Sequence, residues 1–125
     1  MTTRQRQVIA VLVSLGFFTT GTFKLIHFSL AVSNFTGWGV PFWMMHFIGT
    51  CELAGAVGLL IPRTRLAAAY ALFVLMFGGL VTHLTFAEYA FALMPIAYGT
   101  GLFFLMKDSL PQLLSGREPL RHTVA

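Results

Sequence analysis

The sequence predicts an all-α integral membrane protein, an up-down four-helix bundle with both termini cytoplasmic. Three observations carry this expectation. The 125 residues are 57% hydrophobic and only 10% charged, whereas a soluble domain carries roughly 25% charged residues. Four apolar stretches occupy residues 7–27, 42–61, 66–85 and 89–106, each near the ~20 residues that cross a ~30 Å hydrocarbon core. The basic residues segregate: Arg4, Arg6, Arg63, Arg65, Lys107, Arg117 and Arg121 fall on one side, while the opposite loops hold Glu88 and no Lys or Arg. Positive charge marks the cytoplasmic side. The net charge of +4 therefore reads as topology and not as a nucleic-acid footprint. Residues 1–125 form one transmembrane domain, with no room for a separate soluble catalytic domain.

The first span follows a polar start with Arg4 and Arg6. Basic residues before an apolar run resemble a signal peptide, but the run continues past Gly16 to Phe23 without a small-residue cleavage site, so a retained helix is expected. Lys24 and His27 end it. Phe28 to Pro41 reads as an uncharged loop, with turns favoured by Asn34, Gly37, Gly39 and Pro41. Trp38 and Trp43 are expected at headgroup level. Pro41 is suited to open the second span, where a missing N–H is harmless, and Pro62 closes it. Arg63 and Arg65 mark the next turn. The third span ends near His83, and Glu88 then precedes the fourth, where the helix dipole favours a carboxylate. Pro95 should bend the fourth span. In the tail, residues 107–125, Ser109 and Gly116 would bound a short interfacial helix bearing Leu110, Leu113 and Leu114. Backbone satisfaction inside lipid requires all four spans to be helical. Gly49, Gly55, Gly58, Gly78, Gly79, Gly99 and Gly101 are expected to let helices approach closely.

Five ionisable groups fall within the spans: Lys24, His27, His46, Glu52 and His83. All but Glu52 belong to the outer third of the bundle. Glu52 lies deeper, and a charge there costs about 3 kcal/mol or more on insertion scales. It requires a partner, a proton or a purpose. A lysine stem and a carboxylate arm can together bridge the depth between Lys24 and Glu52, and burying both charges is tolerable only if they pair. The candidate ligand-binding residues are thus Lys24, His46, Glu52 and His83, with Glu52 the candidate proton carrier. His and Lys donors would suit the carbonyls of a quinone. No HExxH, CxxC or CxxCH pattern supports a metal or haem, and the lone Cys51 cannot form an intrachain disulfide.

Several of these residues fall into a familiar pattern. Gly21-Thr22-Phe23-Lys24-Leu25 resembles the first-helix motif of the DoxX-like membrane proteins, as do Phe35, Gly39 and Pro41 before the second span. Gly49-Thr50-Cys51-Glu52-Leu53-Ala54-Gly55 is similar to that family's second-helix signature, and His83 fits many members. The resemblance covers about Gly16 to Met106. It implies a four-helix membrane bundle and an association with quinone-linked redox systems, with Lys24, Glu52 and His83 as the family-type polar positions. This chain lacks the extra soluble domain of some thiosulfate-oxidising relatives. Three readings follow: a small accessory subunit of a membrane redox system, a non-enzymatic assembly subunit, or a small-molecule or proton transporter. The chain holds no self-contained catalytic motif. Its partners would be the bilayer, in a bacterial inner membrane, and other membrane subunits or further copies of itself. A ligand site would present a cavity reaching Glu52; a structural lock would present a closed Lys24–Glu52 contact.

Overall fold

A computed structural model describes residues 1–111. Its helices are α1 (Thr3–Leu25), α2 (Ser29–Gly37), α3 (Phe42–Leu60), α4 (Arg65–Thr85) and α5 (Tyr89–Met106). Four of these, α1, α3, α4 and α5, are long and apolar enough to cross a membrane. They form the expected bundle, and no strand occurs among the described residues. Packing is most extensive between α1 and α3 and between α4 and α5, with α3 on α4 and α1 on α5 closing the ring. Neighbours in the ring are therefore antiparallel, and Thr3 and Met106 share one side. The expected tail segment bearing Leu113 and Leu114 and stopping at Gly116 lies outside the described residues.

Helix α1 begins earlier than the apolar run suggests. The Thr2 hydroxyl accepts from the Gln5 N–H, and the Gln5 side chain accepts from the Thr2 N–H. This reciprocal cap satisfies two donors that would otherwise be orphaned at a helix start. At the other side three helix ends share one device. The chain turns through a left-handed residue at His27 (φ 58°), Gly39 (φ 72°) and Ala87 (φ 56°). The following N–H then reaches back to a carbonyl five residues earlier: Phe28 to Phe23, Val40 to Phe35 and Glu88 to His83. Such endings satisfy the last carbonyls and favour glycine, yet two of the three positions here are not glycine.

The stretch 28–41 corrects the loop expectation, because Ser29–Gly37 is helical. Gly37, Gly39 and Pro41 do act as breakers, but Gly37 is the last residue of the helix and the other two follow it; residues 29–36 contain neither Gly nor Pro. Asn34 sits inside the helix, and its carbonyl accepts from Trp38. Phe35 is buried and anchors α2 to the bundle. At nine residues α2 is far too short to span. It sits at the end of the bundle away from the termini, against α1 and α3. Pro95 occurs within α5 without ending it.

The main apolar cluster lies in one half of the bundle, while Phe35, Met45 and Ala92 are buried toward the other end. Ala10, Val13 and Phe17 of α1 meet Ala56 and Leu59 of α3, Ala69 and Leu72 of α4, and Leu102, Leu105 and Met106 of α5. All belong to the half nearest the termini. Polar bonds reinforce that half: Ser14 donates to the Ala56 carbonyl at 3.0 Å, and Tyr70 and Ser109 share a bond of 2.8 Å. Arg65 Nε donates to the Leu59 carbonyl, and Arg6 pairs with Asp108. Meanwhile Leu12, Leu15, Trp43, Phe47, Val74, Phe77 and Leu93 stand exposed. In water such a surface would aggregate; in a bilayer it is the solvent-facing side.

Ala87 carries a Cβ at a left-handed position, which costs roughly 1–2 kcal/mol relative to glycine. Ala87→Gly should therefore raise the unfolding free energy by about 1 kcal/mol, read by denaturant titration in mixed micelles. A loss of stability would show that the Ala87 methyl packs to greater effect than its backbone strains.

Candidate functional site

The polar chemistry begins with two glycines. Gly21 and Lys24 are three residues apart on α1, and Gly49 and Glu52 are three apart on α3. That spacing puts each glycine and its charged neighbour on one helical face. The two faces meet. A Cβ on Gly21 would lie 2.8 Å from the Gly49 carbonyl oxygen, and one on Gly49 would lie 2.9 Å from Lys24 Cβ and 3.0 Å from the Gly21 carbonyl oxygen. Real side chains do not approach so closely, so only glycine permits this crossing. The close approach brings the charged arms together. Lys24 Nζ donates to both Glu52 carboxylate oxygens at 3.1 Å, and it lies 3.5 Å from the Thr20 carbonyl oxygen. The three protons of the ammonium thus have three acceptors. Glu52 is 3% exposed, and no buried polar side-chain atom among the described residues lacks a partner.

His46 belongs to a different contact. Its Nε2 lies 2.5 Å from Nε2 of His27, with the rings stacked at 4.7 Å. One nitrogen must carry the proton and the other accept it. His27 also stacks on Phe42. This pair ties the outer ends of α1 and α3, toward the bundle surface from the Lys24–Glu52 bridge.

His83 is in a third contact. Trp38 Nε1–H donates to Glu88 Oε1 at 2.8 Å, and His83 Nδ1 lies 3.2 Å from the same oxygen. The Trp38 ring meets the His83 ring edge-on at 5.2 Å, and Phe91 stacks on His83 at 5.9 Å. This cluster joins the end of α2 to the α4–α5 corner. The Glu88 carboxylate is not turned back to cap α5; it serves Trp38 and His83 instead.

The four residues singled out in the sequence are therefore distributed over three contacts. Lys24 and Glu52 come together as one pair, His46 joins His27, and His83 joins Glu88 and Trp38. Sequence reasoning left out Trp38 and Glu88 as members of a polar cluster. One signal was available: Glu88 is the single carboxylate of the outer loops, five residues from His83 across a helix end, and an indole N–H at a buried edge needs an acceptor. A groove of about 250 Å³ runs along the α4–α5 seam, and its lining is apolar, from Phe73 to Phe103. Lys24, His46 and Glu52 take no part in it.

The helix order, the four spans and the Lys24–Glu52 crossing can now be set beside known proteins. The model of the DoxX-like family matches residues 8–105. The chain belongs to the DoxX-like family. A search of the curated proteins and a search of the solved structures found no match. The matched stretch begins in α1 and ends in α5, so it takes in most of all four spans and every polar contact described above except the Thr2–Gln5 cap, the Arg6–Asp108 pair and the Tyr70–Ser109 bond. This DoxX-like chain is a small multi-pass integral membrane protein.

The expected packing glycines divide. Gly49, Gly55, Gly58 and Gly101 each face a neighbour that an added Cβ would approach within 3.0 Å, whereas Gly78 and Gly79 face nothing within 4 Å. Gly49→Ala and Gly21→Ala should each destabilise the bundle by about 1–3 kcal/mol through overpacking. Gly78→Ala should instead stabilise it by up to about 1 kcal/mol through helix propensity. Thermal unfolding of the three variants in one detergent checks this opposite pair of signs.

Proposed function

We propose that this DoxX-like protein is a non-catalytic membrane subunit or accessory protein of a quinone-linked redox system in a bacterial inner membrane, with both termini cytoplasmic. Its polar residues hold four helices together, and its apolar surface serves docking in the bilayer. The observation that carries the structural half is the closed Lys24–Glu52 contact. Both carboxylate oxygens and all three ammonium protons are engaged inside the bundle, and the α4–α5 groove lies on another seam. A proton carrier or a ligand donor needs access to its partner, and Glu52 is buried behind its bonds to Lys24. Glu52 accordingly acts as half of a lock. The redox half of the reading rests on the family to which the chain belongs. Electron transfer would take place in a partner, since the chain carries no redox-active motif. The orientation is supported by the segregated basic residues.

A quinone reading remains as the second, and one observation favours it. The His27–His46 pair sits at the outer end of α1 and α3, where its ring nitrogens lie within reach of the surface. Opening that pair would free a donor for a ligand carbonyl. In this version the site is the two histidines, with Lys24 and Glu52 behind them as a support.

Replacing both partners of a buried ion pair by apolar side chains is often tolerated, whereas removing one strands the other. Lys24→Met should therefore lose about 3 kcal/mol of stability, and the Lys24→Met/Glu52→Met double variant should recover most of it. The double variant should also sustain quinone-linked respiration in a deletion strain at the wild-type level. A folded double variant that fails to complement would identify Glu52 as a working proton carrier and overturn the lock.

A further inference from the structure

The α4–α5 groove leads to a feature that the structural role of the bundle does not use. Leu80 and Pro95 line one end of it. One turn further along each helix are His83, three residues after Leu80, and Phe91, four residues before Pro95. These two rings stack on each other and are roofed by Trp38. The groove therefore occupies the middle of the seam, from Phe103 to Leu80 and Pro95, and its far end points toward the His83–Phe91 stack and the Glu88 carboxylate beyond it. Its floor is widened at Gly99, whose nearest neighbour for an added Cβ is the edge of Phe73 at 4.0 Å. The bound hydroxyl of Thr100 turns to the Ile96 carbonyl, so the lining offers an apolar chain nothing polar to bury.

The rim has a definite charge. Glu88 receives both of its donors, from Trp38 and His83, on Oε1. Its other oxygen has no bonded partner among the described residues, and the side chain is about a quarter exposed. The outer segments 28–41 and 86–88 contain no Lys or Arg. Lys24, the cation nearest that side, is consumed by Glu52. The rim is thus an acceptor for positive charge placed at headgroup depth above a slot for one hydrocarbon chain.

We propose that the α4–α5 groove and Glu88 form a binding site for a membrane lipid with an ammonium headgroup, an aminophospholipid of the outer leaflet. One acyl chain lies along the seam between Phe73 and Pro95. The ammonium pairs with the free oxygen of Glu88, while Trp38 and His83 hold the carboxylate in place from the other oxygen. A phosphatidylglycerol headgroup carries no cation and would set its phosphate against the carboxylate.

The test uses the full chain in nanodiscs made with equal amounts of phosphatidylethanolamine and phosphatidylglycerol. Native mass spectrometry after release counts the lipids retained. The wild type should keep one phosphatidylethanolamine in preference to phosphatidylglycerol. Glu88→Gln keeps an acceptor for Trp38 but removes the charge, and should reduce that preference on the order of tenfold. Gly99→Leu fills the groove floor without touching the rim, and should abolish retention of either lipid. A melting curve of each variant establishes that it is folded, and Gly99→Leu stands as the independent arm if Glu88→Gln does not fold. Equal retention of both lipids, retention unaffected by Gly99→Leu, or a quinone or second copy of the chain held in place of lipid would each overturn the proposal.

Discussion

A carboxylate buried in the middle of a membrane span sets the terms for the rest of this molecule. Glu52 cannot remain there without compensation, and compensation has to come from within the bundle. Lys24 supplies it through two bonds of equal length, formed beside the place where the two helices nearly touch. Gly21 and Gly49 allow that contact by presenting no side chain where the two backbones meet. The glycines and the charges are therefore one device, spaced three residues apart on each helix. The glycines bring the two backbones together beside the pair, and without the pairing the charges could not be buried.

The remaining packing follows from where this device sits. Below it, toward the termini, the four helices close on aliphatic and aromatic side chains around Phe17, Leu59, Leu72 and Leu102. Lipid is as apolar as these residues, so burial alone gives little reason for helices to associate in a bilayer. Close fit and interhelical bonds have to supply it, and Ser14 to Ala56, Arg65 to Leu59 and Tyr70 to Ser109 are such bonds. Above the device the apolar core gives way to polar contacts, His27 with His46 and His83 with Glu88 and Trp38. Helix α2 lies over that end and contributes Trp38 and the buried Phe35. The outer half is thus held by directional contacts that fix geometry, and the inner half by dense packing.

This division bears on function. An intramembrane ionisable residue is ordinarily a sign of transport, proton transfer or ligand binding. Here the deepest one is paired inside the bundle, and Glu88, one of whose oxygens has no partner among the described residues, lies near the bundle end instead. Functional attention accordingly shifts from the centre of the bundle to its outer rim and to the α4–α5 seam. A membrane protein of this size has little interior to spare, and most of what it presents is surface.

Composition and periodic hydropathy determined by themselves that the chain crosses a membrane four times, and the segregation of Arg and Lys determined which ends lie together. Those properties depend on residue type and local order, and lipid thickness converts them directly into spans. Sequence also marked Lys24 and Glu52 as a pair worth suspecting, because a lone charge in hydrocarbon demands a partner. It could not determine that α2 is a helix, since the turn residues of that stretch all cluster at its end and Phe35 is fixed by contacts from elsewhere. Nor could it distinguish the roles of the histidines. His46 and His83 sit at similar depths, and only the ring order of the helices decides that one meets His27 and the other meets Glu88. The same holds for the glycines: Gly49 and Gly78 look alike along the chain, yet one faces a backbone and the other faces open space. Which face of a helix is turned inward is set by the sum of contacts around it, and that sum exists only once the four helices have assembled.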